Sequence, residues 1–201
     1  MAEQKLLVAH CADTHPDFSL TKDHVLQWHM GPKDMYNKNG KFLGVKYFGK
    51  TYENRIVLPL EFIGGKQIAE LHGRGWDRPG YRDLMLRNGH FVNLVPDNGD
   101  DWISPDEMTW GVKGINSISS HLCLSGGRNS ENESRMFKFH EIYNDAMFTS
   151  LTSYFNQFLK DHPGDKIAGH YMFSDKTCPN TDVEEFLTLA GIDLKHLYKP
   201  Q

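Results

Sequence analysis

Hydrophobic and polar positions along the chain predict strands and helices in alternation, beginning near the N-terminus. The apolar run from Lys5 to Ala9 is short and uninterrupted, which is typical of a strand buried on both faces. Such a strand would present His10 and Cys11 at its end. Any ligand for a metal or substrate at that point would be rigidly held.

A first helix is predicted to begin at the N-cap candidate Thr21 and to run through Met30. Gly31 and Pro32 follow and end it. Its apolar side has the i, i+3, i+4 spacing of a helix face: Val25, Trp28 and His29.

Residues 33–75 differ in composition, being rich in Gly, Asn, Lys and aromatic residues. The pairs Asn39-Gly40 and Gly64-Gly65 favour turns, so this segment is predicted to form short hairpin-like strands inserted into one domain that spans residues 1–201. Its aromatic side chains fit either a sugar-binding groove or the packing of the insertion itself: Tyr47, Phe48 and Tyr52.

The strongest local pattern is a hairpin, because YRDLMLR and HFVNLV flank Asn88-Gly89, the dipeptide of type I′ turns. A strand follows in SISSHLCLSGG, with Leu122 and Leu124 on one face. From Asp145 to Leu159 apolar residues recur at helical spacing, which predicts the longest helix and a core contact with the sheet.

The C-terminal region completes the alternation. Lys166 to Met172 is predicted to be a strand that carries His170, and Thr181 with Glu184 forms a capping-box pattern for a last helix ending near Gly191. Strands that alternate with helices, with one hairpin among them, indicate an α/β fold whose mixed central sheet is flanked by helices.

Charge and cysteine usage narrow the function classes. Lys and Arg number 22 against 26 Asp and Glu, a formal net charge of −4, and no basic block marks a nucleic-acid or anionic-membrane surface. Three cysteines form no paired disulfide framework, and an odd number is more natural in a reducing compartment. We therefore expect no nucleic-acid partner and no stable membrane association.

The segment HYMFSDKTC, His170 to Cys178, concentrates candidate chemistry. A histidine and a thiolate are good zinc ligands, and the charge of Lys176 lies two residues from the thiolate. The alternative from the residues alone is a strand histidine beside a buried free cysteine.

Five segments in order resemble the zinc-dependent N-acetylmuramoyl-L-alanine amidases of bacteriophages, including those of short-tailed coliphages, which have the peptidoglycan-recognition-protein fold. The resemblance covers about Leu6 to Leu187 and is interrupted by residues 33–75. The segments are VAHCADT, LQWHM, GWDRPGY, KGIN with CLSGG, and GHYMFSDKTCPNTDV. The implied reaction is hydrolysis of the amide bond between N-acetylmuramic acid and L-alanine in bacterial peptidoglycan.

The resemblance also implies which residues act. His10, His170 and Cys178 match the ligands of a zinc ion (Zn2+), and three protein ligands leave the fourth tetrahedral position for water, as in catalytic zinc sites. Lys176 matches a lysine that stabilises the tetrahedral oxyanion, and Tyr81 matches a tyrosine that hydrogen-bonds at the zinc-water site.

The sequence departs from the family at several positions. Arg82 stands where a histidine is usual, and the segment Gly111 to Gly114 is shorter than its counterpart and lacks a Ser-His-Ala motif. His121 stands at a position usually held by a small residue. Arg82 and His121 are therefore candidate substrate contacts, with a hydrogen-bonded strand histidine as the alternative for His121.

Three functions follow from the resemblance. The first is a phage or prophage endolysin that cleaves peptidoglycan. The second is a non-catalytic protein of the same fold that binds peptidoglycan or regulates RNA polymerase, which no basic surface in the sequence supports. The third is a cytosolic amidase that recycles soluble muropeptides.

Localisation bears on the first function. The apolar run Leu6 to Ala9 is too short for a signal peptide, and the chain has no 18-residue apolar span. We therefore expect a protein made in the cytoplasm that meets the cell wall only after the membrane is permeabilised. A holin would be the functional partner.

Overall fold

The secondary structure is given by a computed structural model, which describes residues 2–200. The strands in chain order are β1 (Ala2–Glu3), β2 (Leu6–Cys11), β3 (Lys33–Tyr36), β4 (Phe42–Tyr47), β5 (Lys50–Tyr52), β6 (Phe62–Ile63), β7 (Lys66–Gln67), β8 (Asp83–Met85), β9 (Phe91–Asn93), β10 (Trp102–Ile103), β11 (Ser119–Leu124) and β12 (Lys166–Gly169). The helices are α1 (Lys22–Met30), α2 (Phe139–Ile142), α3 (Asp145–Asp161) and α4 (Val183–Leu189), with 3-10 helices at Ile68–Glu70, His170–Phe173 and Leu194–His196. None of the helices within residues 2–200 is long and apolar enough to cross a membrane.

The chain divides into two structural units. The first contains the residues up to Ser19 together with those from Tyr81 onward, and the second is Leu20–Gly80. The second unit therefore includes α1 as well as the segment that the sequence marks as an insertion. A single domain with an insertion at residues 33–75 stays a prediction.

The first unit is built on a five-stranded sheet in the order β12-β2-β11-β8-β9. Its first four strands are parallel, and β9 pairs antiparallel with β8, which confirms the predicted hairpin. The predicted type I′ turn was wrong, because Gly89 has a positive φ but Asn88 does not, and the Gly89 amide donates to the Leu86 carbonyl. Gly89 has a φ of 80°, a conformation that favours glycine. Every residue of β2 and β11 is buried, as in a parallel sheet covered on both faces. The predicted mixed α/β sheet is confirmed.

One face of this sheet packs against α3, which confirms the predicted amphipathic helix. The shared apolar cluster takes alternate residues from the strands and one stripe of the helix. The strand members are Leu7, Ala9, Cys11, Met85, Leu122, Leu124 and Ile167, and the helix members are Met147, Leu151, Phe155, Phe158 and Leu159.

The opposite face of the sheet has a much smaller apolar cluster. Leu6, Val8 and Ala168 pack there with Val112. Two polar residues share this face with the cluster. Side chains alternate along a strand, so His10 of β2 lies on the same side as Val8, and His121 of β11 is paired with Val8. Polar side chains thus occur on two strands, β2 and β11, that are buried along their whole length.

The C-terminal elements differ from the predicted ones at two points. Strand β12 ends at Gly169, and His170 begins a 3-10 helix instead of lying in the strand. The N-cap of α4 is Asp182, whose side chain accepts from the Glu184 amide, whereas the Thr181 hydroxyl is buried without a hydrogen-bond partner among the described residues. The predicted cap was wrong by one residue because Asp and Thr are both good N-caps.

In the second unit, α1 begins after Thr21, whose hydroxyl accepts from the His24 amide as predicted for an N-cap. The predicted apolar face is wrong at Trp28, which is 37% exposed. Gln27 is buried instead, because its side-chain amide donates to the carbonyls of Ile63 and Gly64.

The rest of the second unit contains the short strands that its turn residues predicted. They form an antiparallel sheet, β3-β4-β5, and a two-stranded sheet, β6-β7. Tyr47 is buried and its hydroxyl donates to Glu61, which supports the packing alternative for this residue, while Phe48 is about half exposed.

Candidate metal centre

Two neighbouring parallel strands bring the first two predicted ligands together. Strands β12 and β2 are paired in a register that aligns Gly169 with Ala9. The following residues, His170 and His10, therefore lie side by side at the carboxyl ends of the strands, although 160 positions separate them in the chain. The distance between their Nδ1 atoms is 3.1 Å.

The third predicted ligand, Cys178, is held by backbone contacts of the loop that follows. Its carbonyl accepts from the Tyr171 amide at 2.8 Å, which folds the loop back onto the 3-10 helix. Its Sγ accepts from the Cys11 amide at 3.2 Å and lies 3.8 Å from His10 Nδ1. The neighbouring Pro179 carbonyl accepts from the buried hydroxyl of Tyr143 at 2.8 Å.

The donor atoms of His10, His170 and Cys178 all lie within 4.8 Å of one another, so these residues can hold a metal ion. Zn–N bonds of about 2.0 Å and Zn–S bonds of about 2.3 Å at tetrahedral angles separate two nitrogens by about 3.3 Å and nitrogen from sulfur by about 3.5 Å. The observed 3.1 Å and 3.8 Å are close to these separations. Two imidazoles and a thiolate thus fit zinc in both chemistry and spacing.

The surroundings of the thiolate favour its charged form. A hydrogen bond from the Cys11 thiol holds the pKa of Cys178 well below its ordinary value, and His10 and His170 lower the pKa further. The same hydrogen bond, together with burial, raises the pKa of Cys11 well above its ordinary value. Of the two cysteines, Cys178 is therefore the one whose surroundings favour the thiolate, the form that binds a metal.

The exposure of the three ligands differs. His10 is 1% exposed, whereas His170 and Cys178 are only partly buried. The cluster is thus anchored on the inner side by the strand histidine and is open to solvent on the other. A catalytic metal needs such an open side for water and substrate.

The two predicted catalytic residues lie near this cluster. The ring of Tyr81 is 5.1 Å from the ring of His10, and its hydroxyl contacts the buried thiol of Cys123. Lys176 is exposed in the loop before Cys178. Burial lowers the pKa of His10 against the opposing effect of Cys178, and the charge of Lys176 adds a smaller lowering. Their roles stay predictions.

Arg82 is held by other residues of the chain. Its guanidinium donates to Asp83 at 3.0 Å, to the Tyr154 hydroxyl at 3.1 Å and to Asp97. The Tyr154 hydroxyl in turn donates to Asp83 at 2.7 Å. A substrate contact of Arg82 stays a prediction, and the structure gives this side chain a network of its own beside α3.

His121 lies beneath the cluster. It is 1% exposed, and its Nδ1 lies 3.0 Å from His10 Nε2. Burial, with the nearby His10, His170 and Arg82, lowers the pKa of His121 well below its ordinary value. A substrate contact of His121 stays a prediction, and the ring has almost no exposed surface to offer a substrate. The alternative drawn from the sequence, a hydrogen-bonded strand histidine, agrees with this position.

A polar network that sequence reasoning missed joins the two ligand-bearing segments. Asp13, three residues after His10, accepts from Arg128 at 2.9 Å and from the Ser134 hydroxyl at 2.7 Å. Asn180, two residues after Cys178, donates to Asp13 at 3.2 Å and to the Gly127 carbonyl at 2.7 Å. Each residue is ordinary in a polar loop, so the sequence offered no signal for their meeting.

No protein-family model and no curated protein sequence matches the chain. The structure is similar to N-acetylmuramoyl-L-alanine amidase LysC from Clostridium intestinale URNW, with a TM-score of 0.53 and 14% identity over 95% of this chain and 87% of that one. It is also similar to the Ph2119 endolysin from the Thermus scotoductus MAT2119 bacteriophage, with a TM-score of 0.55 and 13% identity over 96% and 88% of the two chains.

A third similar structure is the endolysin N-acetylmuramoyl-L-alanine amidase LysCS from Clostridium intestinale URNW, with a TM-score of 0.53 and 13% identity over 95% and 86% of the two chains. These matches span nearly the whole chain. The protein thus has the fold of the N-acetylmuramoyl-L-alanine amidases, as the resemblance of its five segments implied.

Proposed function

We propose that this protein is a zinc-dependent amidase that hydrolyses the bond between N-acetylmuramic acid and L-alanine in bacterial peptidoglycan. One observation carries the proposal. His10, His170 and Cys178 converge within 4.8 Å at the carboxyl edge of the sheet, in a chain whose fold is that of such amidases.

The proposed zinc ion would be held by His10 Nδ1, His170 and Cys178 Sγ. When bound, zinc supplies a Lewis acid that polarises the scissile carbonyl and makes water nucleophilic near neutral pH. The neutral form of His10 and the thiolate form of Cys178 are those that a metal requires, and the pKa shifts of both groups favour them.

The remaining roles fall to Lys176 and Tyr81. Lys176 places a positive charge in an exposed loop beside the ligands, where it can stabilise the negative charge that develops on the amide oxygen. The ring of Tyr81 lies 5.1 Å from the ring of His10, and its hydroxyl can orient water or the substrate carbonyl by a hydrogen bond. Neither side chain is a ligand in this proposal.

We further propose that the substrate is the intact cell wall and that the protein acts as an endolysin of a phage or prophage. Support comes from the similar structures, two of which are named as endolysins. An endolysin of this kind would depend on a holin to reach the wall. Expression alone should then leave cells intact, and permeabilising the membrane should cause lysis. Lysis without permeabilisation would contradict the dependence on a holin.

The first experiment measures bound zinc and the amino termini released from purified sacculi. We expect the wild type to bind about one zinc and to release L-alanyl peptides. Cys178→Ser should lose both properties, because it removes the thiolate. Lys176→Ala should keep zinc and lose activity by about 10²–10³-fold, the usual cost of removing one oxyanion-stabilising group. Lys160→Ala, an exposed lysine of α3, is the control and should change neither.

The outcomes separate the candidate functions. Zinc binding without new amino termini would contradict the amidase and favour a protein that only binds peptidoglycan. Cleavage of soluble muropeptides with no action on sacculi would favour a recycling amidase over an endolysin. Full activity of Lys176→Ala would remove this lysine from the mechanism.

A further inference from the structure

A chain of four hydrogen-bonding groups runs from the candidate metal ligand His10 into the protein interior. His10 Nε2 lies 3.0 Å from His121 Nδ1. His121 Nε2 lies 3.0 Å from the Ser119 hydroxyl, which donates to the Ile115 carbonyl at 2.7 Å. The chain ends at a backbone group and therefore at a fixed point of the fold.

The direction of every bond in this chain follows from its last member. A carbonyl oxygen can only accept, so the Ser119 hydroxyl donates its proton to the Ile115 carbonyl. The same hydroxyl must therefore accept a hydrogen bond from His121 Nε2–H. A neutral His121 that carries its proton on Nε2 has a free lone pair on Nδ1, which accepts from His10 Nε2–H. His10 Nδ1 is then left without a proton, and it is the nitrogen that faces His170 and Cys178.

Burial leaves these groups little access to water. His10, His121 and Ser119 are each 1% exposed. The backbone also makes room for the second ring, since a Cβ at Gly111 would overlap Cγ and Nδ1 of His121. A glycine at position 111 thus allows a histidine at position 121, and both residues stand where the sequence departs from the amidases that it resembles.

We propose that His121 is a positioning residue, which fixes the ring orientation and tautomer of His10 so that Nδ1 is presented to the metal. The inference rests on the proposed zinc site. Groups that orient a ligating histidine commonly change metal affinity by about 10–100-fold when they are mutated. Ser119 extends the effect by fixing the tautomer of His121.

Two substitutions of His121 separate its two nitrogens. In His121→Asn the side-chain oxygen takes the place of Nδ1 and can still accept from His10, but the contact with Ser119 is lost. In His121→Gln the terminal group takes the place of Nε2, and the acceptor for His10 is lost. Both variants are polar and similar in size, so a merely structural role predicts similar behaviour.

The measurement is the zinc dissociation constant, determined by competition with a chelator, together with the visible spectrum of the cobalt-substituted protein. We expect His121→Asn to bind zinc within about threefold of wild type and His121→Gln to bind about 10–100-fold more weakly, with an altered cobalt spectrum. Equal zinc affinities for His121→Gln and wild type would overturn the proposal, as would tighter binding by the Gln variant than by the Asn variant.

Two serines of β11 provide a second test of the proposal. It applies if urea unfolding of the zinc-free protein shows that a His121 variant does not fold. Ser119→Ala removes the hydroxyl that accepts from His121, the hydrogen bond farther from the metal, and should weaken zinc binding severalfold. Ser120→Ala is the matched control, because Ser120 is also buried but bonds to Gln4 on the other face. Identical zinc affinities in this pair would overturn the proposal. Absence of zinc binding in the wild type would instead contradict the proposed function.

Discussion

The two faces of the central sheet share the same strands but differ in what they contribute. On the α3 face, the alternate residues of β2 and, apart from Ser120, those of β11 are apolar and join a cluster of 21 buried side chains. On the other face the buried apolar cluster has four members, and His10, His121 and Ser119 lie beside it. Consecutive residues such as His121 and Leu122 therefore serve the candidate metal site and the core respectively.

The difference shows how a buried strand can carry chemistry without losing its place in the sheet. Because side chains alternate, a shift of β2 or β11 by one residue would move its histidine, His10 or His121, to the α3 face and its core residues away from that face. Burial of the apolar side chains on the α3 face thus fixes the strand register. In that register His10 and His121 lie together on the opposite face. Apart from Cys11, which joins the α3-face cluster and also donates to Cys178, stability and metal binding should respond to different residues. Phe155→Ala and Tyr154→Phe test this separation.

The largest effect is expected for Phe155→Ala in α3. Phe155 is 1% exposed and packs edge to face on Phe186, so its truncation should lower the free energy of unfolding by about 3–5 kcal/mol. Urea unfolding of the zinc-free protein measures this loss, with the exposed Gln157→Ala as control. The zinc affinity of the folded protein should stay within about threefold of wild type. A large loss of affinity with little loss of stability would contradict the separation of the faces.

An intermediate effect is expected for Tyr154→Phe, the preceding residue of α3. The change removes a hydroxyl that accepts from Arg82 and donates to Asp83, and hydrogen bonds to charged groups contribute about 1.5–3 kcal/mol. Chemical denaturation should show a loss in this range with unchanged zinc content. A loss of peptidoglycan cleavage at full stability would instead tie Arg82 to substrate, as the sequence analysis suggested.

The smallest effect is expected for Asp13→Asn, in the loop that follows β2. Burial opposes the charge of Asp13, but hydrogen bonds from Arg128, Ser134 and Asn180 outweigh it and lower the pKa. A lowered folded-state pKa contributes stability above the unfolded value of about 3.9, which is lost as the pH falls through the folded value.

The Asp13 and Arg128 side chains are 42% and 32% exposed, so the contribution should stay below about 1 kcal/mol. Unfolding curves from pH 7 to pH 3 should show a constant difference between wild type and Asp13→Asn down to about pH 5, which then shrinks in acid. A difference that grows as the pH falls would contradict this sign.

Much of the first unit could be predicted from the sequence because its signals are local. The spacing of apolar residues indicated α3, the Asn88-Gly89 pair indicated the hairpin, and Leu122 with Leu124 indicated the core face of β11. The same alternation also places His121 on the other face. The sequence does not show that His10 lies on this face beside His121. Strand β2 is apolar on both faces, so alternation cannot assign His10 to either one.

The convergence of the candidate site could not be predicted from local pattern. His10 and His170 meet through the pairing of β2 with β12, and Cys178 joins them through the loop that follows. Only the resemblance to amidases indicated that the three residues would meet. Neither a local pattern nor the resemblance predicted the hydrogen bond between Asn180 and Asp13, because Asn and Asp are common in all polar loops. The end of β12 before His170 was missed since the apolar pattern continues into the 3-10 helix.

The long separation between the ligands has a consequence during synthesis. His10 leaves the ribosome 168 residues before Cys178, which corresponds to about 8–34 s at the usual elongation rates of about 5–20 residues per second. Strand β12, which pairs with β2, is likewise translated late. A nascent chain therefore has no assembled site until translation passes Cys178, and a prematurely terminated product would lack a complete set of metal ligands.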